Sequence, residues 1–159
     1  MKTRNFVSVF LAGVMGMGLA SVVQAGKMSG TGHNANHNVS TETSKLADGR
    51  VMMRVRDANV IMGNNAGNPF NQTPLDCYST FIASPDMSSG KGTGYCNGID
   101  KDGDVWWISF QGDFGGGTWK FLGGTGKFDG ISGGGNYKPV VQMEGGRSIS
   151  VWDGTWDMK

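Results

Sequence analysis

From Asp48 onward, apolar and polar side chains alternate in short runs, and clusters of Gly, Asn, Asp and Pro separate the runs. A period of two marks a strand with one covered face, because successive side chains point to opposite sides of the pleat. In residues 50–62 (RVMMRVRDANVIM), Val51, Met53 and Val55 share one face, with Met52, Arg54 and Arg56 on the other. Residues 75–83 and 91–99 read as two more strands. In DVWWISF (104–110), Trp106, Ile108 and Phe110 lie opposite Val105, Trp107 and Ser109. Trp119 and Phe121 repeat the pattern, with Thr118, Lys120 and Leu122 behind them. The last run, 147–157, sets Ser148, Ser150, Trp152, Gly154 and Trp156 against Ile149, Val151, Asp153, Thr155 and Asp157. No stretch shows the 3.6-residue period of an amphipathic helix. The expectation is an all-β domain over residues 48–159, a single small antiparallel barrel of about eight strands.

The part before Asp48 reads differently. Residues 1–25 have a basic start at Lys2 and Arg4, an apolar run over 6–20 and the small-residue site Val23-Gln24-Ala25, which together predict a bacterial signal peptide. The run is short and glycine-broken against the ~20 residues a spanning helix needs, so the mature chain is not expected to insert in a membrane. The location implied is periplasmic or secreted. Lys2 and Arg4 are the charged residues of this segment, so its removal takes the net charge from +1 to −1. A near-neutral chain has no general electrostatic attraction for nucleic acid. Residues 26–47 (GKMSGTGHNANHNVSTETSKLA) are polar and almost without apolar side chains, which predicts a flexible, disordered tail. The two histidines, His33 and His37, fall here, among glycines and asparagines that disfavour the helix needed to bring both onto one metal.

Cys77 and Cys96 are an even pair, and in an exported protein such a pair is most simply a disulfide. Closing a loop of about 20 residues contributes roughly 3 kcal/mol in the chain-entropy account. Two buried thiols are the alternative. With no histidine in the folded part, neither a Ser-His-Asp nor a Cys-His arrangement can form.

Residues 123–137, GGTGKFDGISGGGNY, hold seven glycines in fifteen residues with Phe128, Ile131 and Tyr137 set among them. Glycine accepts dihedrals closed to other residues, so this stretch reads as the tight corner of a barrel. With the preceding residues it gives GTWKFLGGTGKFDGISGGGNY, which resembles the Gly-rich segment of the allene oxide cyclase-like barrels, related in shape to plant dirigent proteins. The match is sharp over residues 117–137 and looser from Gly90 to the C-terminus. Many bacterial members of that group are secreted and have no established activity. In the plant cyclases a few polar groups in an apolar barrel steer a reactive fatty-acid epoxide. None of those groups aligns with a residue of this chain, so the catalytic residues are unknown.

Three places carry candidate chemistry. Trp106, Phe110, Trp119 and Phe121 are expected to line the lumen and meet a small apolar ligand. Asp100, Asp102 and Asp104, in Asp100-Lys101-Asp102-Gly103-Asp104, fit a tight hairpin turn or a weak calcium site, and calcium is the one cofactor the sequence suggests. Trp106 and Trp107 are adjacent and cannot both point inward on a regular strand, which leaves one for the outer surface, a subunit contact in a homo-oligomer, or a sugar. Lys127 follows a Gly-rich loop but lacks the Walker spacing. The reading is an exported, non-enzymatic barrel that binds a small apolar ligand or a protein partner. The alternative is a cyclase or isomerase acting on an apolar substrate in the lumen, which calls for an open cavity of about 300 Å³ or more with convergent carboxylates.

Overall fold

The computed structural model describes residues 26–65 and 67–159. The signal peptide expected over 1–25 lies outside the described residues. The alternation becomes eight strands: β1 (Lys27–Lys45), β2 (Val51–Gly63), β3 (Thr73–Ala83), β4 (Gly90–Ile99), β5 (Val105–Asp113), β6 (Gly116–Gly124), β7 (Ser132–Met143) and β8 (Arg147–Asp157). One 3₁₀ turn, Gly126–Phe128, joins β6 to β7. Each strand pairs antiparallel with the next, and β1 pairs with β8, so the sheet closes into a barrel without an edge.

The closing strand is the segment expected to be a flexible tail, and that expectation is corrected here. β1 runs for 19 residues and is hydrogen-bonded on both sides, to β2 from Gly32↔Gly63 to Lys45↔Val51 and to β8 from Lys27↔Asp157 to His37↔Arg147. The barrel therefore begins at Lys27, not Asp48. The reason is physical: a strand paired along both edges satisfies its backbone without apolar side chains of its own. Its inward positions are Gly30, Gly32, Asn34, Asn36 and Asn38, all at least half-buried. His33 and His37 point outward, four residues apart on one strand, a separation of about 13 Å.

An all-antiparallel barrel sorts its connections. The β2–β3 loop, the β4–β5 turn, the 3₁₀ turn, the start of β1 and the end of β8 share one end, and the four remaining hairpins share the other. The first end is plugged. Phe70, from the β2–β3 loop, is the hub: its ring lies 5.0 Å from Trp156, 5.3 Å from both Trp106 and Phe121, and 5.6 Å from Phe128. The loop is held in place by Asn68 Oδ1, which accepts from the Phe70 amide at 3.0 Å, and by Asn71 Oδ1, which accepts from Gly63 at 2.9 Å.

The Gly-rich corner behaves as the sequence suggests. Gly126 has φ +54°, and a Cβ there would collide with the Asp104 carboxylate. Gly133 has φ +120° and faces the Thr155 carbonyl, leaving no room for a side chain. Cys77 and Cys96 sit directly opposite each other on β3 and β4, 4.1 Å apart at Cα, and are joined as a disulfide facing inward.

Candidate functional site

Above the plug the barrel encloses a cavity of about 220 Å³. Two unlike walls bound it. β5 contributes Trp106, Ile108 and Phe110, β6 Trp119 and Phe121, β7 Tyr137 and Pro139, and β8 Trp152. The four aromatic residues expected to line the lumen all do so. Trp119 meets Phe121 edge-to-face at 5.1 Å and Trp152 at 6.4 Å, while Phe110 meets Tyr137 at 6.0 Å. Two of the three indole donors on the lining are tied into the barrel wall: Trp119 Nε1 donates to the Asn136 and Asp153 carbonyls, each at 3.2 Å, and Trp152 Nε1 donates to the His33 carbonyl at 3.3 Å, while Trp106 Nε1 is buried without a partner. Those two rings are thus held in place with no hydrogen-bonding demand on a guest.

The facing wall is polar. Asn34 and Asn36 come from β1, Asn59 from β2, and Ser148 and Ser150 from β8. Asn36 Nδ2 donates to Ser148 Oγ at 3.2 Å, Ser150 Oγ at 3.3 Å and the Asn34 carbonyl at 3.3 Å, while Asn36 Oδ1 accepts from Asn34 Nδ2 at 2.7 Å. Asn59 Nδ2 donates to Cys77 Sγ at 3.0 Å. The Oδ1 atoms of Asn34 and Asn59 are buried and have no partner. Among the described residues no acidic or basic side chain lines the cavity. Burial, with a smaller push from Asp113, raises the Tyr137 phenol above its usual range, so it stays neutral. Asp57 points inward from β2 beside the disulfide, outside the cavity lining; burial pushes its carboxyl up, partly offset by Asn38 Nδ2, which donates to it at 3.1 Å.

At the unplugged end lies a recess of about 450 Å³, which shares Phe110, Tyr137, Pro139 and Gln142 with the lumen and adds Phe81, Phe114 and Met87. Met87 has φ +60° in the β3–β4 turn. The turn is locked by the Asp86 carboxylate, which accepts from Ser84 Oγ, Ser88 Oγ and the Ser88 amide; these bonds, Ser84's foremost, hold its pKa down to about 2.

The three aspartates of the β4–β5 turn form a clasp. Asp100 Oδ1 accepts from the amides of Asp102 at 2.8 Å and Asp104 at 3.0 Å. Asp100 and Asp102 both pair with Lys127 Nζ, and Asp104 Oδ2 accepts from the Lys127 amide at 3.1 Å. A lysine ammonium, rather than a set of converging oxygens alone, stands at the centre of the cluster. Among the described residues no group of three or more His, Cys, Asp or Glu side chains is placed to hold an ion. Burial raises the Asp100 pKa, but the bond from Lys127 and the two turn amides outweigh it and leave the carboxyl below its ordinary range. The clasp fixes the 3₁₀ turn that carries Phe128 into the plug.

Of the adjacent tryptophans, Trp106 is 1% exposed and Trp107 37% exposed, so Trp107 takes the outer face. Tyr78 and Tyr95, paired across β3 and β4, are exposed on the same outer surface. Arg54 and Arg56 also lie outside, paired with Glu42 and Asp76. Sequence reasoning missed Phe70, Asn34, Asn36, Asn59 and the role of Lys127. One signal for part of this was available: polar residues at 34, 36 and 38 keep the period of two.

No family model matches the chain, and no curated protein matches it. Solved structures do. The pterocarpan synthase dirigent protein GePTS1 superposes with a TM-score of 0.52 at 13% identity, over 84% of this chain and 86% of that one. The pterocarpan synthase dirigent protein PsPTS1 gives 0.52 at 11% identity, over 84% and 96%. At such identities the likeness establishes a dirigent-like barrel fold, the coarser half of the resemblance drawn from the sequence. Among the described residues no helix is long and apolar enough to cross a membrane.

Proposed function

We propose that the chain is an exported barrel protein that binds a small, mostly apolar molecule in its lumen and holds it without covalent chemistry. The observation that carries this reading is the cavity of about 220 Å³, aromatic on one wall, uncharged throughout and plugged at one end. Mostly apolar lining with a few convergent polar groups is the usual make-up of a small-molecule site. The cyclase alternative has no carboxylate on the cavity lining to support it, and the volume falls below the size that reading calls for. The dirigent likeness supports the binding reading by analogy of fold alone. The disulfide supports export, since such bonds persist in oxidising compartments.

Native mass spectrometry of protein recovered from its own host tests the reading. The expected spectrum shows a species beginning at Gly26, with the disulfide intact and a small non-covalent adduct. Ile108→Trp, which fills the lumen, is expected to lose the adduct and keep the fold. Wild-type protein that carries no adduct and takes up no molecule from an apolar library would overturn the proposal.

A further inference from the structure

Asn34 and Asn59 line the lumen, and each has a carbonyl oxygen that is buried and without a partner. We propose that these two acceptors make the lumen selective for an uncharged ligand that donates a hydrogen bond, and that Asn59 is the main selectivity residue. The proposal rests on the binding reading above and adds the chemistry of the ligand.

Which atom of an amide faces a cavity is normally open to a flip, but here both orientations are fixed by neighbours. Asn59 is only 6% exposed, and its Nδ2 donates to Cys77 Sγ at 3.0 Å. That sulfur belongs to a disulfide and carries no hydrogen. Turning the amide over would set oxygen against sulfur, acceptor against acceptor. The disulfide therefore leaves Oδ1 as the amide atom without a partner. Asn34 is fixed by a different route. The Asn34 backbone carbonyl can only accept, so it fixes Asn36 Nδ2 on its side, leaves Asn36 Oδ1 to receive Asn34 Nδ2 and leaves Asn34 Oδ1 without a partner.

The consequences for a guest follow from pairing. An alkyl group would bury both acceptors unsatisfied. A carboxylate has one unpartnered donor on the lining, Trp106 Nε1, to set against the two acceptors it would crowd, and no cationic side chain to offset its charge. An ammonium can donate, but the lining holds no anion to offset its charge either. A hydroxyl donates while its carbon frame lies against Phe110, Trp119 and Phe121. A site built around such a group rejects the analogue that lacks it.

Four two-ring probes of closely similar size separate these cases: 2-naphthalenemethanol, 2-ethylnaphthalene, 2-naphthoate and 2-naphthylmethylammonium, titrated against the full, disulfide-bonded barrel at neutral pH. The alcohol is expected to bind at least about tenfold more tightly than the ethyl analogue and than either charged probe. In Asn59→Leu the alcohol's advantage over the ethyl probe should shrink to a few-fold or vanish, chiefly because the ethyl probe binds better. Asn34→Leu repeats the test on the second acceptor should Asn59→Leu fold poorly. The proposal falls if the ethyl analogue matches the alcohol in wild-type protein, if a charged probe binds most tightly, or if a folded Asn59→Leu keeps the wild-type ratio. If none of the four binds while the folded protein is intact, the lumen is not a binding site and the function proposed above falls with it.

Discussion

The β5–β6 wall and the β1 wall face each other across one lumen and are made of opposite materials. Both are built from strands hydrogen-bonded on two sides. The first turns Trp106, Phe110, Trp119 and Phe121 inward; the second turns Gly30, Gly32, Asn34 and Asn36 inward. An inward position is thus set by closure of the sheet, not by hydrophobicity. The aromatic wall gains from removing surface from water, while the polar wall is held by its ladder and side-chain bonds.

The difference can be broken from either side. On the aromatic wall, Phe121→Ala should cost roughly 3–5 kcal/mol, because it deletes a ring that packs against Phe70, Trp106 and Trp119. The urea midpoint reads this directly, and a loss below about 1 kcal/mol would mean that this wall does not carry the core. On the polar wall, Ala35→Pro should cost about 1–3 kcal/mol, since it removes a ladder donor from the middle of a strand paired with both Val60 and Ile149 and leaves its acceptor unsatisfied. Unchanged thermal stability in that variant would restore the tail that the composition suggests.

The smallest effect sharpens the comparison. Burial raises the Asp57 carboxyl above its ordinary value near 3.8. An acid whose pKa is higher when folded contributes stability that is complete below the unfolded pKa and is lost as pH rises through the folded one. Asp57→Asn removes that loss and keeps an oxygen for Asn38 Nδ2. A slight gain in melting temperature at neutral pH, fading as the pH falls below the ordinary carboxylate range, is the expected outcome. A difference that does not vary with pH would show that the carboxyl is well solvated.

β2, β3, β5 and β6 were legible because many of their inward residues carry the period of two in apolar or aromatic form; β8 was legible from Trp152 and Trp156, and β4, whose inward residues are glycines and Cys96, from its cysteine and the turns around it. The disulfide was legible from two cysteines and the expectation of export. β1 was not, because glycine and asparagine alternate there without any hydrophobic contrast, and its stability comes from partners at both ends of the chain. Phe70 sits in an Asn-rich loop that reads as solvent-facing, and only the closed barrel buries it. Lys127 meets Asp102 and Asp104 across 25 and 23 residues, a spacing no local motif displays.

The pairing of Lys27 with Asp157 sets the first and last strand residues side by side at the plugged end, with the recess at the far end. Anything joined to the protein near either of those residues, whether a fusion partner, an affinity handle or a sensor surface, would meet its sealed base. The mouth would then face the medium whatever the attachment. Immobilised barrels should stand in one orientation, and the four short hairpins around the rim could be exchanged without disturbing the seal beneath them.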